Sequence, residues 1–368
     1  MMAAPSVAQR IPWFEPWLDE ADVAAVSRVV RSGFVNEGPE NRAFEEELKR
    51  FFGVPQAVTT PSCTTAIALS LMALGVGHGD TVLVPDTTFI GTASAVRLAG
   101  AEPILVDVDP HTFCMDPDDA RRRARPTTRA IVPVHLNGRA ADLAALRGVA
   151  AALGVPLVED AAEALASRNR AGWLGTQSEA GCFSLAPTKI ITAGQGGFVL
   201  TARQEVRDQL IRLRDHGRLS RASDRHPVTG FNFKVTDMQA ALARSQWAKL
   251  PARIERSRQI DRRYREGLAG IPELAFPPRP TDGGYLMWPD FTSPRRDELA
   301  AYLAARGIAL RPFWPALHQQ PAYAAADEYP GATEASRRAG WLPCSPGITD
   351  EQLDTVIAAV RAFFGGRP

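Results

Sequence analysis

Three groups of residues with usable chemistry stand in order along the chain. Ser62-Cys63-Thr64-Thr65 follows Pro61, Asp160 closes the apolar run that starts at Pro156, and Lys189 ends Phe183-Ser184-Leu185-Ala186-Pro187-Thr188-Lys189. An aspartate at the end of a strand is where open parallel sheets place ligand-contacting groups. Ionised, it suits a protonated pyridine nitrogen through a charge-assisted hydrogen bond, which preserves an electron sink when an α-proton leaves. The same carboxylate could instead cap a helix. Lys189 lies between Leu185 and Ile190-Ile191, so its amine can be held at an internal cleft. There it can form an imine with an aldehyde and, once released, move protons. Ser184 is near enough in sequence to bind the same ligand or to cap local backbone. Hydroxyls beside the N–H groups of a helix start suit a phosphate or simple N-capping. Gly194-Gln195-Gly196-Gly197 permits close backbone approach but matches neither a P-loop nor a dinucleotide fingerprint, which weakens the case for ATP or NAD.

The elements that must position these groups follow from hydrophobic periodicity. Leu18 to Arg31 and Ala43 to Phe52 carry amphipathic helical patterns, and Ser62 to Leu74 reads as a helix that opens on small residues. Then come a strand at Thr81 to Pro85, a helix at Thr88 to Ala99 and a strand at Glu102 to Val106. The pattern repeats with a strand at Ala130 to Val134, a helix at Ala141 to Leu153 and a strand at Pro156 to Glu159. This alternation predicts an α/β fold with a mostly parallel sheet covered by helices. Gly181 to Leu185 and Gly197 to Thr201 add two strands around the lysine loop. Helices follow at Val206 to Leu213, Thr236 to Leu250 and Arg253 to Leu268, with a polar loop over Asp215 to Val228. A smaller C-terminal α+β unit is expected from strands at Gly284 to Trp288 and Ala309 to Phe313 and helices at Arg295 to Arg306 and Thr349 to Phe364. The expected division is a large domain over residues 1–250 and a smaller one over 251–368.

Composition narrows the function classes. In 368 residues, 42 Lys plus Arg stand against 41 Asp plus Glu, a formal charge of +1. That balance supplies no broad field for a polyanion, so nucleic acid is not an expected partner. The cysteines Cys63, Cys114, Cys182 and Cys344 form no CxxC pair, and the histidines show no zinc-like spacing, so neither a disulfide framework nor a metal is expected. The start MMAAPSVAQRIPWF has no signal-peptide pattern and no stretch reads as a membrane span, which fits a cytoplasmic enzyme.

The ordered motifs resemble the DegT/DnrJ/EryC1/StrS family of sugar aminotransferases, a fold-type-I, aspartate aminotransferase-like group that uses pyridoxal 5′-phosphate (PLP). The similarity covers nearly the whole chain. It rests on Ser62-Cys63-Thr64-Thr65-Ala66, Thr88-Phe89, Pro133-Val134-His135-Leu136, Val158-Glu159-Asp160-Ala161-Ala162 and the Lys189 block, extended by Asp215-His216-Gly217, Gly230-Phe231-Asn232-Phe233-Lys234 and Pro315-Ala316-Leu317-His318. The resemblance implies that Lys189 carries the Schiff base and that Asp160 pairs with the pyridine nitrogen. It implies that Thr64, the Cys63 N–H and Ser184 hold the phosphate, and that Phe89 covers one ring face. It places Asn232 in the active site of the other subunit, hence a homodimer with shared sites. His135, His216, Lys234 and His318 are candidates for contact with substrate, although a strand-end or loop histidine with a purely structural role would look the same. Two departures stand out: Glu163 where many members have glutamine, and Leu165 where many have histidine. Glu163-Ala164-Leu165 resembles the GDP-perosamine synthase branch and makes Glu163 a catalytic candidate near the cofactor. Gln195 replaces a glutamate common between the glycines.

The implied reaction takes an amino group from L-glutamate and delivers it to a nucleotide-linked 4-keto-6-deoxy sugar. A 3-keto nucleotide sugar, another keto sugar or an aminocyclitol precursor are the substrate alternatives. A PLP sugar dehydratase of the same broad family would carry histidine in place of Lys189, and a non-enzymatic PLP-binding protein would have no need of the lysine.

Overall fold

The computed structural model describes residues 10–220 and 224–365. Its largest feature is a seven-stranded sheet in two hydrogen-bonded halves. One half has the order Gln56–Thr60, Gly197–Thr201, Ala180–Ser184, Val158–Asp160; the other has Glu102–Val106, Thr81–Pro85, Thr128–Ile131. Parallel bridges Ile131 to Leu157 and Val134 to Asp160 join the halves. Every pairing is parallel except those of Gly197–Thr201, which runs antiparallel to both neighbours. Thr81–Pro85, Ala180–Ser184 and Gly197–Thr201 are buried at every position. Continuous rather than alternating burial is what a sheet covered by helices on both faces requires.

Capping explains where the flanking helices begin. Helix Glu20–Ser32 starts on a box between Asp19 and Asp22, Cys63–Ala73 on one between Ser62 and Thr65, and Asp237–Trp247 on one between Thr236 and Gln239. Each box satisfies two otherwise orphaned backbone donors. Helix Pro39–Phe52 has no side-chain cap of its own. Asp237 supplies one from a distance, accepting from the N–H groups of Gly38 at 2.8 Å and Asn41 at 3.0 Å.

The C-terminal part departs most from the expected elements. The apolar run Gly284 to Trp288 is not a strand. Its Tyr285 to Trp288 side chains are buried, but its backbone serves side chains: the Ser257 hydroxyl donates to the Leu286 carbonyl at 2.6 Å and the Trp288 N–H donates to Asn137 Oδ1 at 2.8 Å. The small antiparallel sheet is instead Asp290–Thr292, Ala339–Trp341 and Arg311–Pro312, with helices Arg296–Ala304 and Asp350–Gly365 packed together. Helices Pro117–Arg123 and Pro330–Arg338, both short and opened by proline, lie where no helix was expected. The N-terminal segment packs against this part, through a parallel bridge from Ile11 to Ile308 and a Cys344 N–H bond to the Trp13 carbonyl at 2.9 Å. Among the described residues no helix is long and apolar enough to cross a membrane, and no cluster of His, Cys, Asp and Glu could hold a metal ion.

Candidate active site

The three sequence clusters meet in one cleft of about 870 Å³, part of it open to solvent. Asp160 reaches it as the last residue of its strand, clamped by an N–H bond to the Pro133 carbonyl and a bond accepted from the His135 N–H, both 2.9 Å. The side chain is 5% exposed. Its Oδ1 accepts from the Ala162 N–H at 3.0 Å, and the Cys63 thiol approaches the same oxygen at 3.8 Å. The Thr92 hydroxyl donates to Oδ2 at 2.8 Å, and Thr88 Oγ1 lies 2.9 Å from Thr92 Oγ1. The helix-cap alternative is thus not how the carboxylate is used. Thr92 was missed by sequence reasoning, because a threonine in the first turn of helix Gly91–Leu98 carries no signal of its own.

Lys189 stands on a tight turn after strand Ala180–Ser184, its N–H donating to the Ala186 carbonyl at 3.0 Å. The Trp288 indole N–H holds the Thr188 carbonyl at 3.1 Å and Arg253 holds the Ile190 carbonyl at 3.2 Å. The ammonium lies 3.4 Å from Glu163 Oε1 and 4.7 Å from the Trp288 ring centroid. Glu163 Oε2 accepts from the Asn137 N–H at 2.9 Å. Burial pushes the Glu163 carboxyl above its ordinary pKa against the opposing charge of Lys189 and the Asn137 N–H.

The helix start is used in two ways. Ser62 and Thr65 cap each other, which leaves the Thr64 hydroxyl and the first-turn N–H groups of Cys63 and Thr64 facing the cleft without intrahelical acceptors. Two glycines shape this end. A Cβ on Gly197 would come within 2.7 Å of the Cys63 nitrogen, so the strand lies directly against the helix start, and one on Gly91 would meet Thr64 Oγ1 at 2.8 Å. Ser184 lines the same end and accepts from the Ala186 N–H at 3.2 Å, so it both faces the cleft and caps backbone. Phe89 is 54% exposed on the cleft wall, which rules out an ordinary core role. Burial raises the Cys63 thiol pKa well above its usual range, with Asp160 adding to the effect, so this sulfur is no thiolate nucleophile.

The remaining sequence candidates do not line this cleft. His135 is fully buried: its Nδ1 accepts from the Ala141 N–H at 3.2 Å, so Nε2 carries the proton and donates to Glu159 at 2.8 Å. Both ring nitrogens are consumed, and the expectation that His135 contacts substrate is corrected. His318 sits with Nδ1 on Asp86 Oδ2 and its ring stacked on Tyr329, outside the cleft lining. Burial, partly offset by His318, raises the Asp86 pKa. His216 is exposed at a backbone φ of 59°, Lys234 is bound to Asp215, and Asn232 is exposed; none of the three reaches the cleft of its own chain. Trp13, Trp288, Arg311 and Trp314, all from the C-terminal part or the N-terminal segment packed on it, line the cleft without having been expected there.

The donor set fits PLP. A helix start with free N–H groups and hydroxyls suits a phosphate, a buried aspartate suits a cationic ring nitrogen, and a lysine amine stands in the same cleft. Residues 16–361 match the model of the DegT/DnrJ/EryC1/StrS aminotransferase family. Among solved structures, the chain is similar to DesV of S. venezuelae in complex with a ketimine intermediate, at 34% identity over 96% of this chain and 98% of that one, TM-score 0.89. The aminotransferase TlmJ of Streptoalloteichus hindustanus is 32% identical over 97% and 99%, TM-score 0.92. The sugar aminotransferase CalS13 of Micromonospora echinospora is 28% identical over 96% and 99%, TM-score 0.89. With its motifs in one cleft and the family model matched over most of its length, the chain belongs to the DegT/DnrJ/EryC1/StrS aminotransferase family and is a PLP-dependent aminotransferase.

Proposed function

We propose that this enzyme moves an amino group from L-glutamate to the ketone of a nucleotide-linked 4-keto-6-deoxy sugar, giving a 4-amino sugar and 2-oxoglutarate. The observation that carries the reading is the convergence of Lys189, Glu163 and Asp160 in one cleft, with the Lys189 amine 3.4 Å from Glu163. A keto sugar as acceptor is supported by similarity to CalS13, a sugar aminotransferase. Attack at C4, with a GDP-linked mannose-derived compound preferred over a TDP-linked one, rests on the Ala162-Glu163-Ala164-Leu165 segment.

PLP, when bound, supplies the electron sink that makes the substrate α-proton removable. Asp160 would pair with the ring nitrogen, and the Thr92 hydroxyl and the Ala162 N–H hold the carboxylate oriented for it. Thr64, the Cys63 N–H and Ser184 would hold the phosphate, and Phe89 would cover one ring face. Lys189 Nζ would take up the proton that leaves the substrate carbon and give it back later in the transfer. Glu163, buried and with its pKa raised above the ordinary value, presents a carboxyl oxygen 3.4 Å from that amine.

Asn232 completes the phosphate site of the partner subunit in a homodimer; its exposure outside its own cleft supports this. Mixing Lys189→Ala and Asn232→Ala subunits should regenerate activity, and demonstrated heterodimers that stay inactive would refute the shared site. The substrate assignment is tested by incubating a panel of purified keto nucleotide sugars with enzyme, PLP and L-glutamate, and identifying the aminated carbon by mass and NMR. Turnover of a 3-keto sugar with none of the GDP- or TDP-linked 4-keto compounds would overturn it while leaving the transaminase chemistry standing.

A further inference from the structure

Asn137 is fully buried in the short turn Leu136–Gly138, outside the cleft lining, and holds a left-handed backbone with φ 54° and ψ 30°. Asparagine tolerates that conformation better than most residues with a side chain. Its backbone N–H donates to Glu163 Oε2 at 2.9 Å. Its side-chain amide takes both backbone groups of Trp288: Nδ2 donates to the carbonyl at 2.5 Å, and Oδ1 accepts from the N–H at 2.8 Å. An amide carries a donor and an acceptor together, so it can stand in for the neighbouring strand that the run around Trp288 lacks.

This seam has further fixings. Two residues on in both segments, Arg139 binds both oxygens of Asp290, at 3.1 and 2.5 Å, with both side chains buried. Between Asn137 and Arg139, Gly138 passes so close to the other segment that a Cβ on it would fall 2.1 Å from the Tyr285 carbonyl oxygen. A buried bidentate ion pair keeps its geometry, because parting it would leave a desolvated charge without a partner. Residues 137–139 and 285–290 are thereby locked together at three points.

What the seam holds is Trp288. The centroid of its ring lies 4.7 Å from the Lys189 ammonium, and its indole N–H donates at 3.1 Å to the carbonyl of Thr188, the residue before the lysine. Glu163 lies 3.4 Å from the same amine. Asn137 therefore reaches both members of the Lys189–Glu163 pair, one through its backbone and the other through Trp288. We infer that Asn137 is a positioning residue for amino transfer, which sets the Lys189 amine against the Glu163 carboxyl by fixing Trp288. This rests on the reading of Lys189 and Glu163 as groups that handle the transferred proton.

The test uses Asn137→Gly, which permits the left-handed backbone, keeps the N–H for Glu163 and removes both bonds to Trp288. In single-turnover reactions of the PLP-loaded enzyme with L-glutamate, the rate constant at saturating donor should fall roughly 10²-fold, the order expected for a misplacement near 1 Å, while the half-saturating concentration stays within about threefold. The pH midpoint of the visible absorption change of the bound cofactor should move down by roughly 0.5–1 unit, because the ring face that favours a charged nitrogen is no longer fixed beside it. Asp160, Glu163 and Arg311, the other charged groups that line the cleft, are the same in both enzymes. Trp288→Phe keeps an aromatic ring and loses the indole bond to Thr188, so it should lower the same rate constant by less. The double variant should fall short of the product of the two single effects by roughly threefold or more, since both act on one lysine turn. A folded Asn137→Gly enzyme with the wild-type rate constant and midpoint overturns the inference, whatever stability it loses in urea. Strict additivity with Trp288→Phe also overturns it, as does a raised half-saturating concentration with an unchanged rate constant. Should Asn137→Gly not fold, Trp288→Phe decides alone: a lowered rate constant supports the inference and a wild-type one overturns it. Undiminished transfer by Lys189→Arg would instead refute the lysine reading beneath it, which separates the two failures.

Discussion

Glu159, within the strand Val158–Asp160, and Glu163, in the turn just beyond it, are both buried, yet the protein uses them in opposite ways. Glu159 is saturated: it accepts from His135 Nε2 at 2.8 Å, the N–H groups of Gly175 and Gln177 at 2.7 Å and the Ser178 hydroxyl at 2.9 Å. Burial opposes its ionisation, but His135 and these donors outweigh it and hold the pKa below the ordinary value. Glu163 receives one backbone N–H and a longer contact from Lys189, and burial wins, so its pKa rises. A carboxylate whose lone pairs are all taken ties a loop to a sheet. One left short of donors, facing a cleft beside an amine, can exchange a proton.

The sharpest way to break the comparison is on the cleft side. Lys189→Arg keeps a cation near Glu163 but cannot perform the amine chemistry, and amino transfer should fall by at least roughly 10³-fold. Borohydride reduction of the wild type followed by peptide mass analysis should place a pyridoxyl group on Lys189, and a reproducible adduct on another lysine would sink the assignment.

On the structural side, Glu159→Ala should cost about 3–5 kcal/mol in urea unfolding, because it leaves the His135, Gly175 and Gln177 donors buried and unpaired. The lowered pKa fixes the sign of the pH dependence. The contribution of Glu159 is complete above the ordinary value of 4.5 and is lost as pH falls through its lower folded value, so the deficit of the variant should shrink in strong acid. A deficit below about 1 kcal/mol at neutral pH would show that the knot is not saturated as described.

The smallest effect on stability should come from Glu163→Gln, which retains an acceptor for the Asn137 N–H. Here the sign reverses. A raised folded pKa gives a contribution that is complete below 4.5 and lost as pH rises through the folded value. The non-titrating glutamine should therefore gain on the wild type over that window, while amino transfer to the acceptor falls. A variant that loses stability relative to wild type as pH rises through the window would mean that the folded pKa of Glu163 is lowered, not raised.

Much of this site was legible from residue order. Asp160 at a strand end, Lys189 before glycines and hydroxyls at a helix start are local signals, each produced within a few residues, and all three reach the cleft. His135 shows where such reading stops. A histidine at a strand end looks the same whether its ring faces ligand or core, and the partners that consume it, Glu159 and the Ala141 N–H, are set by a parallel bridge between strands distant in sequence. The run Gly284 to Trp288 failed for a related reason. Burial of consecutive apolar residues does not distinguish a strand from a loop pinned by side chains, and here Asn137 and Ser257 take the backbone groups that a strand would have paired.

The sequence by itself determined the capping boxes at Asp19, Ser62 and Thr236, the βα alternation that builds the sheet, and the identities of the lysine and aspartate, because these depend on local periodicity and side-chain chemistry. Only the tertiary structure decided which carboxylate is satisfied and which is left poised. It alone brought Trp13 and Arg311, nearly 300 residues apart, to the same wall of the cleft. Those outcomes depend on desolvation and on contacts across the chain, and neither is written in the spacing of neighbouring residues.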